Sequence, residues 1–71
     1  MGLKLDDAED LAIELSDEHE GVDPLTVRYT DLHRFVVGLS EFDDDPKASN
    51  EGTLEAIQMA WLEEYRERKD D

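Results

Sequence analysis

Three adjacent carboxylates followed by a proline, Asp43-Asp44-Asp45-Pro46, constrain this chain more than any other feature. Pro46 has no backbone N–H to donate and disfavours helical geometry at Asp45, so Glu41 to Asn50 must be a loop. Everything regular has to be built on either side of it.

Upstream, Ala8, Leu11, Ala12 and Leu15 follow the i, i+3, i+4, i+7 rule, which predicts an amphipathic helix from Asp7 to about Glu18. Asp6 with Glu9 three residues later resembles a capping box. Asp7, Asp10, Glu14, Asp17 and Glu18 lie beside the apolar stripe, within about 100° of the helix wheel. They form either a solvated face or a surface awaiting cations or an Arg-rich partner, since like charges this close repel. After the Asp23-Pro24 turn, Leu25, Val27 and Tyr29 alternate with polar residues, which predicts a short extended segment.

A second helix is expected to start at Thr30, with the Thr hydroxyl as cap and Asp31 favourably placed against the helix dipole. Leu32, Phe35, Val36 and Leu39 then repeat at helical spacing as core positions. His33 falls in the first turn, where it either hydrogen-bonds near the helix start or touches a ligand or partner. After the loop, Ser49 or Asn50 caps a last helix from about Glu51. Leu54, Ile57, Ala60, Trp61 and Tyr65 lie on one side of it and Met59 and Leu62 on another, the pattern of a central helix. Trp61, at i+4 from Ile57, reads as core rather than as a recognition aromatic. Beyond Tyr65 no apolar residue remains, so residues 1–65 are read as one domain and 66–71 as a charged tail that frays.

Charge and composition then exclude whole classes of function. The chain has 71 residues, 21 acidic against 7 basic, with a formal net charge of −14, and no cysteine. Arg66, Arg68 and Lys69 balance Glu67, Asp70 and Asp71, which leaves the entire −14 on residues 1–65. Such a body is repelled by nucleic acid and anionic lipid and attracted to basic protein surfaces and cations, although acidity also serves solubility or a salty cytoplasm. Without cysteine it holds no thiolate-ligated cluster and no persulfide. No apolar run approaches the length of a membrane span, and Met1-Gly2-Leu3-Lys4 lacks the apolar stretch of a signal peptide, so the cytoplasm is the expected location.

Catalysis is excluded for want of parts. Neither His19 nor His33 lies in a pattern that names a nucleophile, and the four glycines are scattered singly rather than gathered in a phosphate loop. The acid run is no calcium loop either. Counting from Asp43, the sixth position is Ala48 where glycine is required, and the twelfth is Leu54 where a bidentate acid belongs. What remains is a weak set of hard oxygen ligands, which Asp31, Glu41, Glu51 or Glu55 would complete if the loop folds back over the last two helices.

Phe42-Asp43-Asp44-Asp45-Pro46-Lys47-Ala48-Ser49-Asn50-Glu51 and Thr30-Asp31-Leu32-His33 resemble the motifs of the small bacterial IscX proteins. Met1-Gly2-Leu3-Lys4, Asp23-Pro24, Thr26-Val27-Arg28, Leu54-Glu55-Ala56-Ile57 and Trp61-Leu62 extend the likeness without gaps over about residues 1 to 64. Leu5, Ser16 and His19 depart from it, standing where aromatics are common, and the tail runs past the usual end. These departures lie outside the Thr30-to-Glu51 block.

The resemblance implies a mainly α fold: a small three-helix, winged-helix-like (modified helix-turn-helix) domain with a short extended segment. This also suits the elements read above. DNA binding does not go with that fold here, because the helix from Asp31 to Leu39 carries only Arg34 as a fixed positive charge. The implied function is that of a monomeric accessory protein of iron-sulfur cluster assembly. It binds a cysteine desulfurase, in competition with frataxin, and binds iron weakly as ferrous or ferric ion. Asp31, Glu41, Asp43, Asp44, Asp45, Glu51 and Glu55 are the candidate acids for both metal and partner, with His33 as a further partner contact. An iron donor or buffer is the alternative, and a nucleic-acid mimic a distant third.

Overall fold

The computed structural model describes residues 2–70, which form three α-helices: α1 (Ala8–Glu18), α2 (Tyr29–Val37) and α3 (Glu51–Asp70). Single turns of 3-10 helix at Pro24–Thr26 and Pro46–Ala48 interrupt the two long connections. Among the described residues there is no strand, only one isolated parallel bridge between Leu3 and Phe42. The molecule is thus mainly helical.

The apolar stripe of α1 does what its spacing predicts. Leu11, Ala12 and Leu15 are buried against Leu54, Ile57 and Trp61 of α3, and α1 and α3 share the most extensive packing in the molecule. Leu32 and Val36 of α2 and Leu39 beyond it close the remaining side. Fully burying each of these Leu, Ile or Val side chains contributes about 1.5–3 kcal/mol. α3 is central, yet not apolar all round: Leu62 is buried, whereas Met59 is half exposed.

Helix ends are where local reading and structure part. Asp7, not Asp6, occupies the N-cap of α1, and it makes no cap bond into the helix. Its carboxylate instead accepts the Lys4 N–H at 2.9 Å while its own N–H donates to the Lys4 carbonyl at 3.0 Å. The capping box between Asp6 and Glu9 is therefore not formed. Burial of Leu5 in the core draws the chain into this tight turn one residue further on. α1 stops at His19, and Gly21 at φ 83° turns the chain through the left-handed region that glycine enters without strain.

The extended segment expected at 25–30 is mostly a 3-10 turn. The Asp23 carboxylate accepts the Leu25 N–H at 3.0 Å, and Pro24 supplies a φ suited to the first turn of a helix. Only Val27 and Arg28 remain extended before α2. The alternation was misleading because Leu25 is exposed; Pro24 is the buried residue, and its carbonyl accepts Gln58 Nε2 of α3 at 2.9 Å. α2 starts at Tyr29 after Arg28 as N-cap, which places Thr30 inside the helix and removes its expected capping role.

α3 continues through 66–70, the segment assigned from the sequence to a charged tail. Arg68 there pairs with Asp17 of α1 at 2.9 Å and with Glu64 at 3.1 Å, joining the ends of the two helices. Asp71 lies outside the described residues.

Candidate functional site

The acid loop is organised by the opposite end of the chain. Its backbone runs beside residues 3–5: Leu3 N–H donates to the Glu41 carbonyl at 2.6 Å and Asp43 N–H to the Leu3 carbonyl at 2.8 Å. Phe42 and Leu3 flank this bridge and pack on the core. Gly2 is required beside it, because a Cβ there would overlap Asp43 Cβ.

The three aspartates then have three different environments. Asp44 accepts the Leu5 N–H at 2.9 Å through one oxygen and the Asp45 N–H at 2.8 Å through the other. The Leu5 N–H and then the Asp45 N–H hold its pKa below the ordinary 3.8. Slight burial opposes them, and the nearby Lys4 charge assists. Asp45 caps the following 3-10 turn, its carboxylate accepting the Lys47 N–H at 2.9 Å. Pro46 at the first position of that turn lacks the N–H that would otherwise go unsatisfied. Asp43 faces solvent with 74% of its side chain exposed; Lys4 Nζ sits 3.7 Å from it and donates to the Asp43 carbonyl at 2.6 Å. In this row of like residues, Asp44 and Asp45 build the loop and Asp43 is presented by it.

The loop runs into α3 through Asn50, the residue that caps it: its side-chain oxygen accepts the Thr53 N–H at 2.9 Å and the Thr53 hydroxyl at 3.1 Å. Glu51 and Glu55 follow one turn apart on α3, both exposed, with Glu51 favourable to the helix dipole. Glu41 is exposed where the loop begins, while Asp31 and His33 are half-buried on α2. Among the described residues no group of three or more His, Cys, Asp or Glu side chains is placed to hold a metal ion together. The loop's hydrogen bonds lead to residues 3–5 rather than back over the last two helices, the arrangement that would have gathered Asp31, Glu41, Glu51 and Glu55 around the aspartates.

Two roles escaped the sequence reading. Lys4 and the Leu5 N–H serve the acid loop from 39 residues away, with no local pattern to mark them. His19, rather than His33, enters an aromatic cluster, stacked on Phe35 with ring centroids 4.2 Å apart and tilted against Trp61 at 6.3 Å.

A three-helix body of this size, carrying an acid loop clasped by its own N-terminal segment, coincides with a known sequence family. The chain belongs to the IscX family of iron-sulphur cluster assembly, whose family model matches residues 3–66. It is also 52% identical over 64 residues to the uncharacterized protein PA3808 of Pseudomonas aeruginosa, across 90% of this chain and 97% of that protein. The match takes in both sides of the clasp and all three helices. Among the described residues, no helix is long and apolar enough to cross a membrane.

Proposed function

We propose that this protein is a non-catalytic adaptor of iron-sulfur cluster assembly, docking on a basic surface of a cysteine desulfurase in the cytoplasm as a monomer and competing there with frataxin. The observation that carries this reading is the division of labour in the acid loop. Asp44 and Asp45 spend their carboxylates on backbone N–H groups, and the loop they hold presents Asp43 and Glu41 to solvent. A charge held on a fixed loop gives up less conformational freedom on binding than one on a mobile tail. Opposite potentials then speed encounter and make it salt-dependent. Glu51 and Glu55 extend the same acidic character along α3, and Asp31 and His33 are the further contacts proposed on α2.

Iron enters this scheme as weakly held cargo on hard carboxylate oxygens of the same acids, not as a resident cofactor. The three-helix arrangement is read as winged-helix-like, with the wing reduced to the Leu3–Phe42 bridge and with a charge that suits a basic protein rather than DNA.

The test is titration of the full chain into the cysteine desulfurase of its own organism at two salt concentrations, with and without ferrous iron, following binding and sulfide output together. Glu41→Gln with Asp43→Asn leaves the loop's structural carboxylates in place and is expected to weaken binding about tenfold, ~1.4 kcal/mol. Asp10→Asn with Glu14→Gln on α1 is the matched control. Equal losses from the two pairs would reduce docking to nonspecific charge. Iron held at fixed stoichiometry with no enzyme binding would make the protein an iron donor instead.

A further inference from the structure

A cavity of about 320 Å³ opens between the C-terminal end of α1 and the last turns of α3, on elements that take no part in the acid loop. Its sides are aromatic: Trp61, the half-buried Tyr65, and the His19 ring fixed by its stack on Phe35. Ser16 lines it with only 4% of its surface exposed, and the Ser16 hydroxyl is buried with no hydrogen-bond partner among the described residues. A buried hydroxyl in that state calls for a partner, and its O–H rotates to suit one.

The rim has a polarity of its own. Arg68 and Lys69 line one side, Arg68 held in place by Asp17 and Glu64, and Lys69 Nζ lying 5.8 Å from the centroid of the Tyr65 ring. Glu20 and Gly21 form another part, and beside Gly21 a Cβ would meet nothing within 4 Å, so the cavity is open there. Two of the chain's 7 basic residues therefore border one cavity of a molecule with a net charge of −14. At physiological salt the wider negative field is screened beyond about 8 Å, and the local cations dominate at the mouth.

We infer that this cavity binds a small aryl acid bearing a hydroxyl on its ring. The ring lies among Trp61, His19 and Tyr65, the carboxylate meets Arg68 and Lys69, and the hydroxyl supplies the partner that Ser16 lacks. Aromatic walls with a few convergent polar groups are the usual make-up of a small-molecule site, and the cations select an anion over a neutral ring.

Three probes separate these contributions: 4-hydroxybenzoate, benzoate and phenol, each titrated into the full chain at physiological salt while backbone amide and indole N–H signals are followed by NMR. Saturable shifts confined to residues 16–21 and 61–69 are expected, tightest for 4-hydroxybenzoate and weakest for phenol. Ser16→Ala should erase the advantage of 4-hydroxybenzoate over benzoate, about threefold for one hydrogen bond, and leave benzoate unchanged. Lys69→Gln should weaken both acids relative to phenol. No saturable shift with any probe overturns the site. Phenol binding as tightly as the acids overturns the anion assignment and makes the cavity a seat for an aromatic side chain of a partner protein. An unchanged preference in Ser16→Ala removes the hydroxyl from the recognition.

Discussion

The seam between α1 and α3 and the clasp between residues 2–5 and 41–45 are held by different physics. The seam is packing: Leu11, Leu15, Ile57 and Trp61 are almost wholly buried, and polar contact is confined to its ends, as at Arg68. The clasp is hydrogen bonding, with the Asp44 carboxylate at its centre and Leu3, Leu5 and Phe42 as its apolar underside. A packed seam loses stability wherever volume is removed. A hydrogen-bonded clasp loses order locally when a single acceptor goes, and the acids it presents lose their position with it.

The largest effect separating the two is expected from Leu15→Ala, which empties a fully buried site and should cost about 2–5 kcal/mol. A core of this size supplies only about 3–5 kcal/mol of net stability, so much of the chain should be unfolded at room temperature, read by thermal or urea denaturation. If the variant melted like the parent, the seam would not be the main source of stability.

Asp44→Ala should act next and differently. It removes the acceptor for the Leu5 and Asp45 N–H groups, so hydrogen exchange should accelerate at Leu3, Leu5, Asp43 and Asp45 while α1 amides keep their protection. Loss of protection throughout would mean that clasp and seam form one cooperative unit.

Acid should reproduce that result without mutation. The folded-state pKa of Asp44 is depressed, so the stability this group contributes is fully present above its ordinary 3.8 and is lost as pH falls through the lowered value. Clasp amides should lose protection over that range, and Asp44→Asn should flatten this part of the pH dependence. An identical acid profile in the variant would assign the transition to other carboxylates.

The smallest effect is expected on α1, where Glu9, Asp10 and Glu14 accept no side-chain hydrogen bond among the described residues. Asp10→Asn with Glu14→Gln should change stability by no more than about 0.5 kcal/mol, towards greater stability as like-charge repulsion falls. A larger loss in a denaturation curve would show that this stripe does structural work, as Asp44 and Asp45 do.

The residues that were legible in the sequence are those whose role repeats along the chain. Leu11 and Leu15, Leu32 and Val36, and Ile57 and Trp61 announce their helices and their burial through spacing alone. Asn50 was one of two foreseen caps, and the loop around Pro46 followed from proline geometry. Misreadings arose where two local patterns competed. At 25–30 an alternating pattern lost to the Asp23-Pro24 turn, and at 6–9 a capping pattern lost to the pull of Leu5 into the core.

The sequence by itself determined three helices, the breaks between them, a strongly negative body and the family to which its motifs point. Each is set by neighbours within a few residues or by a simple sum of charges. Only the tertiary structure decided which aspartate is a ligand-facing group and which a structural one. That distinction rests on hydrogen bonds from Lys4 and Leu5, which lie 39 residues away along the chain. It also decided that Ser16 and His19 border a cavity, because the space between two helices belongs to neither of them until they pack.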